Sequence, residues 1–161
     1  MVKEVSVKKI KEEAEGLYRQ GKFFCSEAVV SSIRNNIDKD MPEALIAAAS
    51  GFPIGIGRSK CTCGAVTGAI LALGYFFGRT EGGDPKVQHT LDLAYEVQDS
   101  FRQNHKCLCC SVQTRGMDMA SGEHKEQCIR FTGEMAEKVA QVIIRELNIK
   151  NTDELVGEVN G

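Results

Sequence analysis

The chain has no excess of basic charge, no apolar run long enough to cross a bilayer, and no stretch of alternating polar and apolar residues. Each absence removes a class of function or fold. There are 20 Lys and Arg against 22 Asp and Glu, a net charge of −2 over 161 residues. Such a balance offers no positive field to nucleic acid or to an anionic lipid surface. The early lysines (Lys3, Lys8, Lys9, Lys11) are interleaved with Glu4, Glu12, Glu13 and Glu15. That pattern is a solvated helix face, not a targeting arm. The longest apolar run, Ala65 to Phe77, contains Thr67, Gly68 and Gly74 and falls short of the roughly 20 residues of a membrane helix. It reads as a buried core helix, so membrane insertion is not expected. No apolar stretch leads to a small-residue cleavage site. The expected location is the cytoplasm, where thiols are kept reduced.

Familiar active-site motifs are missing too. The loop from Gly51 to Lys60, GFPIGIGRSK, does not satisfy Gly-x-x-x-x-Gly-Lys-[Ser/Thr], and no strand precedes it. Gly55-x-Gly57 lacks the third glycine of a dinucleotide fingerprint. Glycines that let backbone pack against a neighbouring group are the better reading. No His-Glu-x-x-His, serine elbow or paired catalytic carboxylates stand out, and His89 and His124 read as surface residues. There are no repeats.

What the chain does have is helical periodicity. Val7, Ile10, Ala14, Leu17 and Tyr18 recur at helical spacing, with Ser6 as N-cap and Gly21 beyond the end. A second helix starts between Phe24 and Ser26 and carries Ala28, Val29 and Ile33. Pro42 suits the first position of a short helix through Ala49. A fourth helix runs from about Thr62 to Phe77, where Gly64, Gly68, Ala65, Ala69 and Ala72 make one face small. That face allows a second helix or a cofactor to approach. Asp84 and Pro85 start a fifth helix presenting Val87, Leu91, Ala94, Val97 and Phe101 and ending near His105. Ser121 caps a last long helix with Cys128, Phe131, Met135, Val139, Val142 and Ile143 on one face. The expected fold is all-α, a single domain over 1–150 of about six helices around a glycine- and alanine-rich buried helix. The remainder, 151–161, is expected to be a short acidic tail, weakly structured at most.

The chain also has seven cysteines. Five fall in two knots, Cys61-Thr62-Cys63 and Cys107-Leu108-Cys109-Cys110. Seven is odd, and a reducing location disfavours static disulfides. Cys25 sits at a helix start, where the dipole would lower its thiol pKa below the free value of about 8.5. It could equally be a small buried hydrophobe. Cys61 and Cys63 can serve one site only if Cys61 remains in the loop, because residues one apart in a helix diverge by roughly 200°. Cys63 directly precedes the small helix face, a good environment for a ligand or nucleophile. Cys107 and Cys110 form a Cys-x-x-Cys, a spacing found in zinc, iron–sulfur and dithiol sites. Ser111 follows it, so covalent haem attachment is not supported. Cys128, on an apolar helix face, reads as core more readily than as ligand. His105 is either a ligand or a cation at a helix C-terminus.

These residues resemble a known group. Cys25 in FFCSEAVV, the block from Gly55 to Ala69 with Cys63-Gly-Ala-Val-Thr-Gly68, then Cys109 and Cys128, look like the C-GCAxxG-C-C family. That family is named for its cysteine pattern and a redox role. The resemblance covers roughly residues 10 to 145 and implies that Cys25, Cys63, Cys109 and Cys128 are the functional thiols. Cys109 is chosen over Cys110 because Val112 follows three residues on. Cys61, Cys107 and Cys110, with His105, are optional additions. The family is similar in part to split-Soret cytochromes, which are helical and dimeric and combine haem with an iron–sulfur cluster. The resemblance therefore allows an iron–sulfur cluster and a homodimer, while the missing Cys-x-x-Cys-His argues against haem.

Three functions follow. In the first, the four cysteines hold an iron–sulfur cluster or other thiolate-bound metal and pass electrons to a partner the residues do not identify. Gly64 and Gly68 would let backbone approach the bound group. In the second, Cys63 or Cys25 is an attacking thiolate in thiol–disulfide exchange or redox sensing. In the third, the thiols bind structural zinc in a helical interaction domain.

Overall fold

Ser6 has extended backbone, and its hydroxyl accepts the Lys9 N–H. The first helix, α1 (Val7–Arg19), follows directly and buries Val7, Ile10 and Ala14. It ends where Gly21 takes a positive φ, the left-handed stop that glycine adopts most cheaply. The computed structural model describes residues 1–154 and continues with α2 (Cys25–Asn36), α3 (Ala44–Ala49), α4 (Gly64–Phe77), α5 (Val87–His105), α6 (Cys110–Gln113) and α7 (Gly122–Leu147). The fold is all-α and has one core, as the periodicity predicts. None of the helices is long and apolar enough to cross a membrane among the described residues.

The long α7 is the spine. Ser121 caps it by accepting the His124 N–H, and Asn148 stops it in a left-handed conformation. Helices α1, α2, α4 and α5 all pack against it. Val139, Val142 and Ile143 of α7 are fully buried beside Ile10, Ile33 and Phe101. Each such side chain contributes about 1.5–3 kcal/mol through burial. The glycine- and alanine-rich α4 is largely buried between α2, α5 and α7. On α5 the buried stripe is Leu93, Val97 and Phe101, while the predicted Leu91 is 56% exposed. The predicted stripe holds at Val97 and Phe101 and departs near the start of the helix, where Leu93 replaces Leu91 on the buried face.

Two further findings depart from the sequence reading. Glu4–Val5 (β1) and Lys150–Asn151 (β2) pair as a short parallel ladder. Asp153 adds two links, accepting the Ser6 hydroxyl at 2.6 Å and the Lys8 N–H at 2.8 Å. The start of the acidic tail is thus tied to the N-terminus; the rest of that tail, 155–161, lies outside the described residues.

The second departure is the loop before α4. Ile54, Gly55, Ile56, Gly57 and Arg58 all take positive φ, as does Lys60. A left-handed conformation costs an L-residue about 1–2 kcal/mol, and it is rarer still for β-branched isoleucine. Long-span backbone hydrogen bonds hold the coil: Gly57 N–H to Gly51 at 2.9 Å, Lys60 N–H to Ile54 at 3.1 Å and Cys61 N–H to Gly55 at 2.9 Å. Backbone kept in so unfavourable a region is concentrated at functional sites, and this coil abuts the cysteines.

Candidate functional site

Two knots of cysteine are brought together by one short pairing. The Cys63 N–H donates to the Leu108 carbonyl at 2.8 Å, and the Cys110 N–H donates to the Cys61 carbonyl at 2.6 Å. Between these bonds, Thr62 and Cys109 face each other as an antiparallel bridge. Extended backbone turns successive side chains to opposite faces. Cys63 and Cys110 accordingly face inward, and Cys109 faces solvent.

The inward pair meets Cys25, the first residue of α2, and Cys128, in the second turn of α7. Cys25, Cys63, Cys110 and Cys128 line one cavity of about 30 Å³, together with Tyr18, Ile54, Gly55, Gly64, His124 and Phe131. At about 10–15 Å³ per water-sized sphere, this is room for two or three atoms. All seven cysteines are free thiols. Among the described residues, no three His, Cys, Asp or Glu side chains stand close enough to hold one ion as they are.

The structure places three of the four expected thiols, Cys25, Cys63 and Cys128, at the cavity; the fourth sulfur lining it belongs to Cys110, one of the optional additions, and not to Cys109. The Cys109 sulfur lies outside, 3.0 Å from the Ser111 hydroxyl and 3.5 Å from the Lys60 carbonyl. Cys61 is exposed. Cys107 is occupied in shaping the turn, its sulfur accepting the Cys109 N–H at 3.2 Å. His105 is held elsewhere: its ring packs between Phe101 and Phe131, with centroids at 4.6 and 4.5 Å, and its Nε2 lies 2.7 Å from Glu134.

The two glycines have different surroundings. A Cβ on Gly64 would lie 2.5 Å from the Cys25 sulfur, so only glycine lets that thiol sit against the start of α4. At Gly68 a Cβ would meet the Ser26 backbone at 2.7 Å. The small face of α4 thus admits α2, one of the two approaches its composition allowed. Gly64 also borders the cavity, and Gly68 lies behind it.

Electrostatics separates the inner thiols from the outer one. Burial pushes the Cys25 thiol well above its usual range, and the neighbouring sulfurs of Cys63 and Cys128 add to this. Backbone N–H groups of Ser26 and Ile54 point at Cys25 and oppose the shift without reversing it. The expected lowering by the helix dipole is overturned, because desolvation is the larger effect. Burial likewise pushes Cys63 up to about 12, against N–H groups of Ala65 and Val66, and Cys128 up to about 11. Neither Cys63 nor Cys25 is an activated thiolate in this arrangement. Cys109 shifts the other way: the Ser111 hydroxyl, then the N–H groups of Val112 and Ser111, hold its thiol below the usual value, with Arg115 assisting.

Two site residues were not singled out from the sequence. His124 is buried, not on the surface, and its Nε2 lies 3.5 Å from the Cys128 sulfur. The signal was available, since His124 and Cys128 are four apart on one helix and share a face. Tyr18 carries its hydroxyl to Cys128, and burial beside three thiols raises its own pKa. Its place on the apolar stripe of α1 concealed that role.

The sequence matches the family described as "Putative redox-active protein (C_GCAxxG_C_C)" over residues 23–142. The chain belongs to that family. The matched stretch contains every thiol of the cavity, from Cys25 to Cys128. No curated protein and no solved structure matches the chain. In this C-GCAxxG-C-C protein, the glycine after the second cysteine is the residue that seats the first.

Proposed function

We propose that this family member is a redox protein in which Cys25, Cys63, Cys110 and Cys128 hold a small thiolate-bound group of the iron–sulfur class. The observation that carries the reading is the convergence of four thiols on one cavity, Cys25 buried and Cys63, Cys110 and Cys128 half-buried, three of them in α2, α6 and α7 and the fourth just before α4. Desolvation raises the pKa of all four, and as protonated thiols they are poor nucleophiles. A bound cation inverts that logic, because a coordinating thiol is deprotonated outright. Thiolate donors suit iron–sulfur clusters, zinc and copper(I). The cavity as it stands has room for two or three atoms, so a cluster of this class would have to widen it and draw the sulfurs in, since no three donors stand close enough to hold one ion among the described residues. Such a group supplies one-electron chemistry, and N–H groups directed at its sulfurs tune its potential. The residues that would supply them are Ser26 and Ile54 at Cys25, with Ala65 and Val66 at Cys63.

Anaerobic purification from iron-replete cells, followed by iron and sulfide analysis and absorption spectroscopy, tests this. Stoichiometric iron and sulfide with a visible band bleached by reductant supports the proposal. Stoichiometric zinc without sulfide would replace it with a structural metal site. Metal-free protein containing one defined, reducible disulfide would replace it with thiol–disulfide chemistry. The exposed, activated Cys109 is the residue that favours this last reading.

A further inference from the structure

A second, larger depression adjoins the thiol cavity. It measures about 620 Å³, within the roughly 300–1,000 Å³ of small-molecule sites. Tyr18, Phe24, Ile54 and His124 line both spaces. Those four side chains are therefore the partition between the groove and the sulfurs. Phe23 and Met119 extend the apolar lining. Phe24 is 47% exposed although it directly precedes the buried Cys25. An aromatic ring left open in this way has not been placed by core packing.

The rest of the lining is polar and favours one sign of charge. Lys22 and Lys125 border the groove, as does Glu27. The Glu27 carboxylate accepts the Phe24 N–H at 3.0 Å and the Ser50 hydroxyl at 2.7 Å; these neutral donors turn it toward the backbone, and its charge offsets one of the two lysines. The Lys125 ammonium donates to the Arg19 carbonyl at 3.1 Å, a contact that leaves its charge unneutralised. The 26-residue α7 opens at the same place, with Ser121 and Gly122 in the lining. Its positive end adds to the two lysines; Glu123 of the same turn is not in the lining.

We infer that this groove binds a planar aromatic anion: a conjugated ring carrying a phosphate, sulfonate or carboxylate. The ring lies against Phe24 and the shared partition, and the anionic end meets Lys22, Lys125 and the first turn of α7. Resting on the redox reading of the thiol site, the bound ring is the electron partner's class, one side-chain layer from the sulfurs. Binding as such requires only the groove.

The test titrates the full chain with riboflavin 5′-phosphate and with riboflavin, following flavin fluorescence, and repeats the titration with naphthoquinone sulfonate. The expected result is saturable binding of the two anions, with riboflavin weaker by about tenfold or more. Lys22→Glu and Lys125→Glu, both at exposed positions, should remove that discrimination and leave riboflavin binding unchanged. Phe24→Ser should weaken all three ligands. No saturable binding of either anion up to roughly 1 mM would overturn the inference. So would equal binding of flavin with and without phosphate, or indifference to both lysine reversals. Iron and sulfide analysis of the same samples judges the thiol centre separately: anion binding by metal-free protein supports the groove even where the centre fails.

Discussion

Thr62 and Cys109 oppose each other in a single antiparallel bridge, and that pairing decides which of two adjacent cysteines enters the protein. Cys110→Ser should abolish stoichiometric iron and sulfide, while Cys109→Ser should leave both intact. Metal analysis of the two anaerobically purified variants provides the check. The reverse result would place Cys109 at the site after all.

Gly64 and Gly74 offer a matched pair on one helix. A Cβ at Gly64 meets the Cys25 sulfur, whereas nothing lies within 4 Å of a Cβ at Gly74. Gly64→Ala should destabilise the metal-free protein by about 1–3 kcal/mol through overpacking and should also reduce metal content. Gly74→Ala, at an exposed helical position, should stabilise it by about 0.5–1 kcal/mol. Denaturant titrations of both variants measure these effects.

The inner thiols make the metal-free protein sensitive to base. Their folded pKa values are raised, to about 12 for Cys63 and about 11 for Cys128 against a usual 9.0. The stability that comes from keeping them protonated is complete below about pH 9 and is lost as pH rises through the folded values. Thermal midpoints should therefore fall above pH 9, less steeply in Cys63→Ala. Metal uptake runs in the opposite direction. Binding must expel the thiol protons, so apparent affinity should rise steadily from pH 6 to 9 in competition with a chromophoric chelator. A flat profile would contradict thiolate ligation.

Cys109 should be the first thiol to react with iodoacetamide at neutral pH, and the four cavity thiols, whose pKa values are raised, should react more slowly, buried Cys25 last. Its pKa is held down mainly by the Ser111 hydroxyl. In Ser111→Ala the pH midpoint of its alkylation should move upward, as read by peptide mass spectrometry. An unchanged midpoint would remove Ser111 as the cause.

Glu96 links α5 to α7, accepting from Lys138 at 2.8 Å and from Arg145 at 2.9 Å. Arg145 and Lys138 hold its carboxyl down at about 2. The contribution is present above the ordinary carboxylate value and is lost as pH falls toward 2. Glu96→Gln should cost about 1 kcal/mol or less at pH 7, given its partial exposure, and the difference from wild type should vanish in strong acid.

The longer helices were legible because they carry their own instructions, whereas the single turn of α6 (Cys110–Gln113) was not read. Ser6 and Ser121 cap the helices they were predicted to cap, and the apolar faces of α1 and α7 follow a period of 3.6. The site was legible as a set of thiols but not in its register. One bridge pair has no periodicity to read, and a slip of one residue in extended backbone exchanges inside for outside. His124 went unread because a histidine four residues before a cysteine is meaningful only once that cysteine is known to face a cavity. The left-handed coil at Ile54–Arg58 runs against local preference. Gly55 and Gly57 hint at it, but Ile54 and Ile56 argue the other way, and only the packed surroundings impose it.

The small parallel ladder at Glu4–Val5 and Lys150–Asn151 has a mechanical meaning. Its strands run in the same direction, so tension drawing the segment before Glu4 away from the segment after Asn151 loads their hydrogen bonds in shear. Resistance is then shared by the ladder and the Asp153 links, which must slip together before α1 can peel from α7. A fusion partner or surface attached at the two ends would pull on this clasp first, with the thiol cavity sheltered behind it.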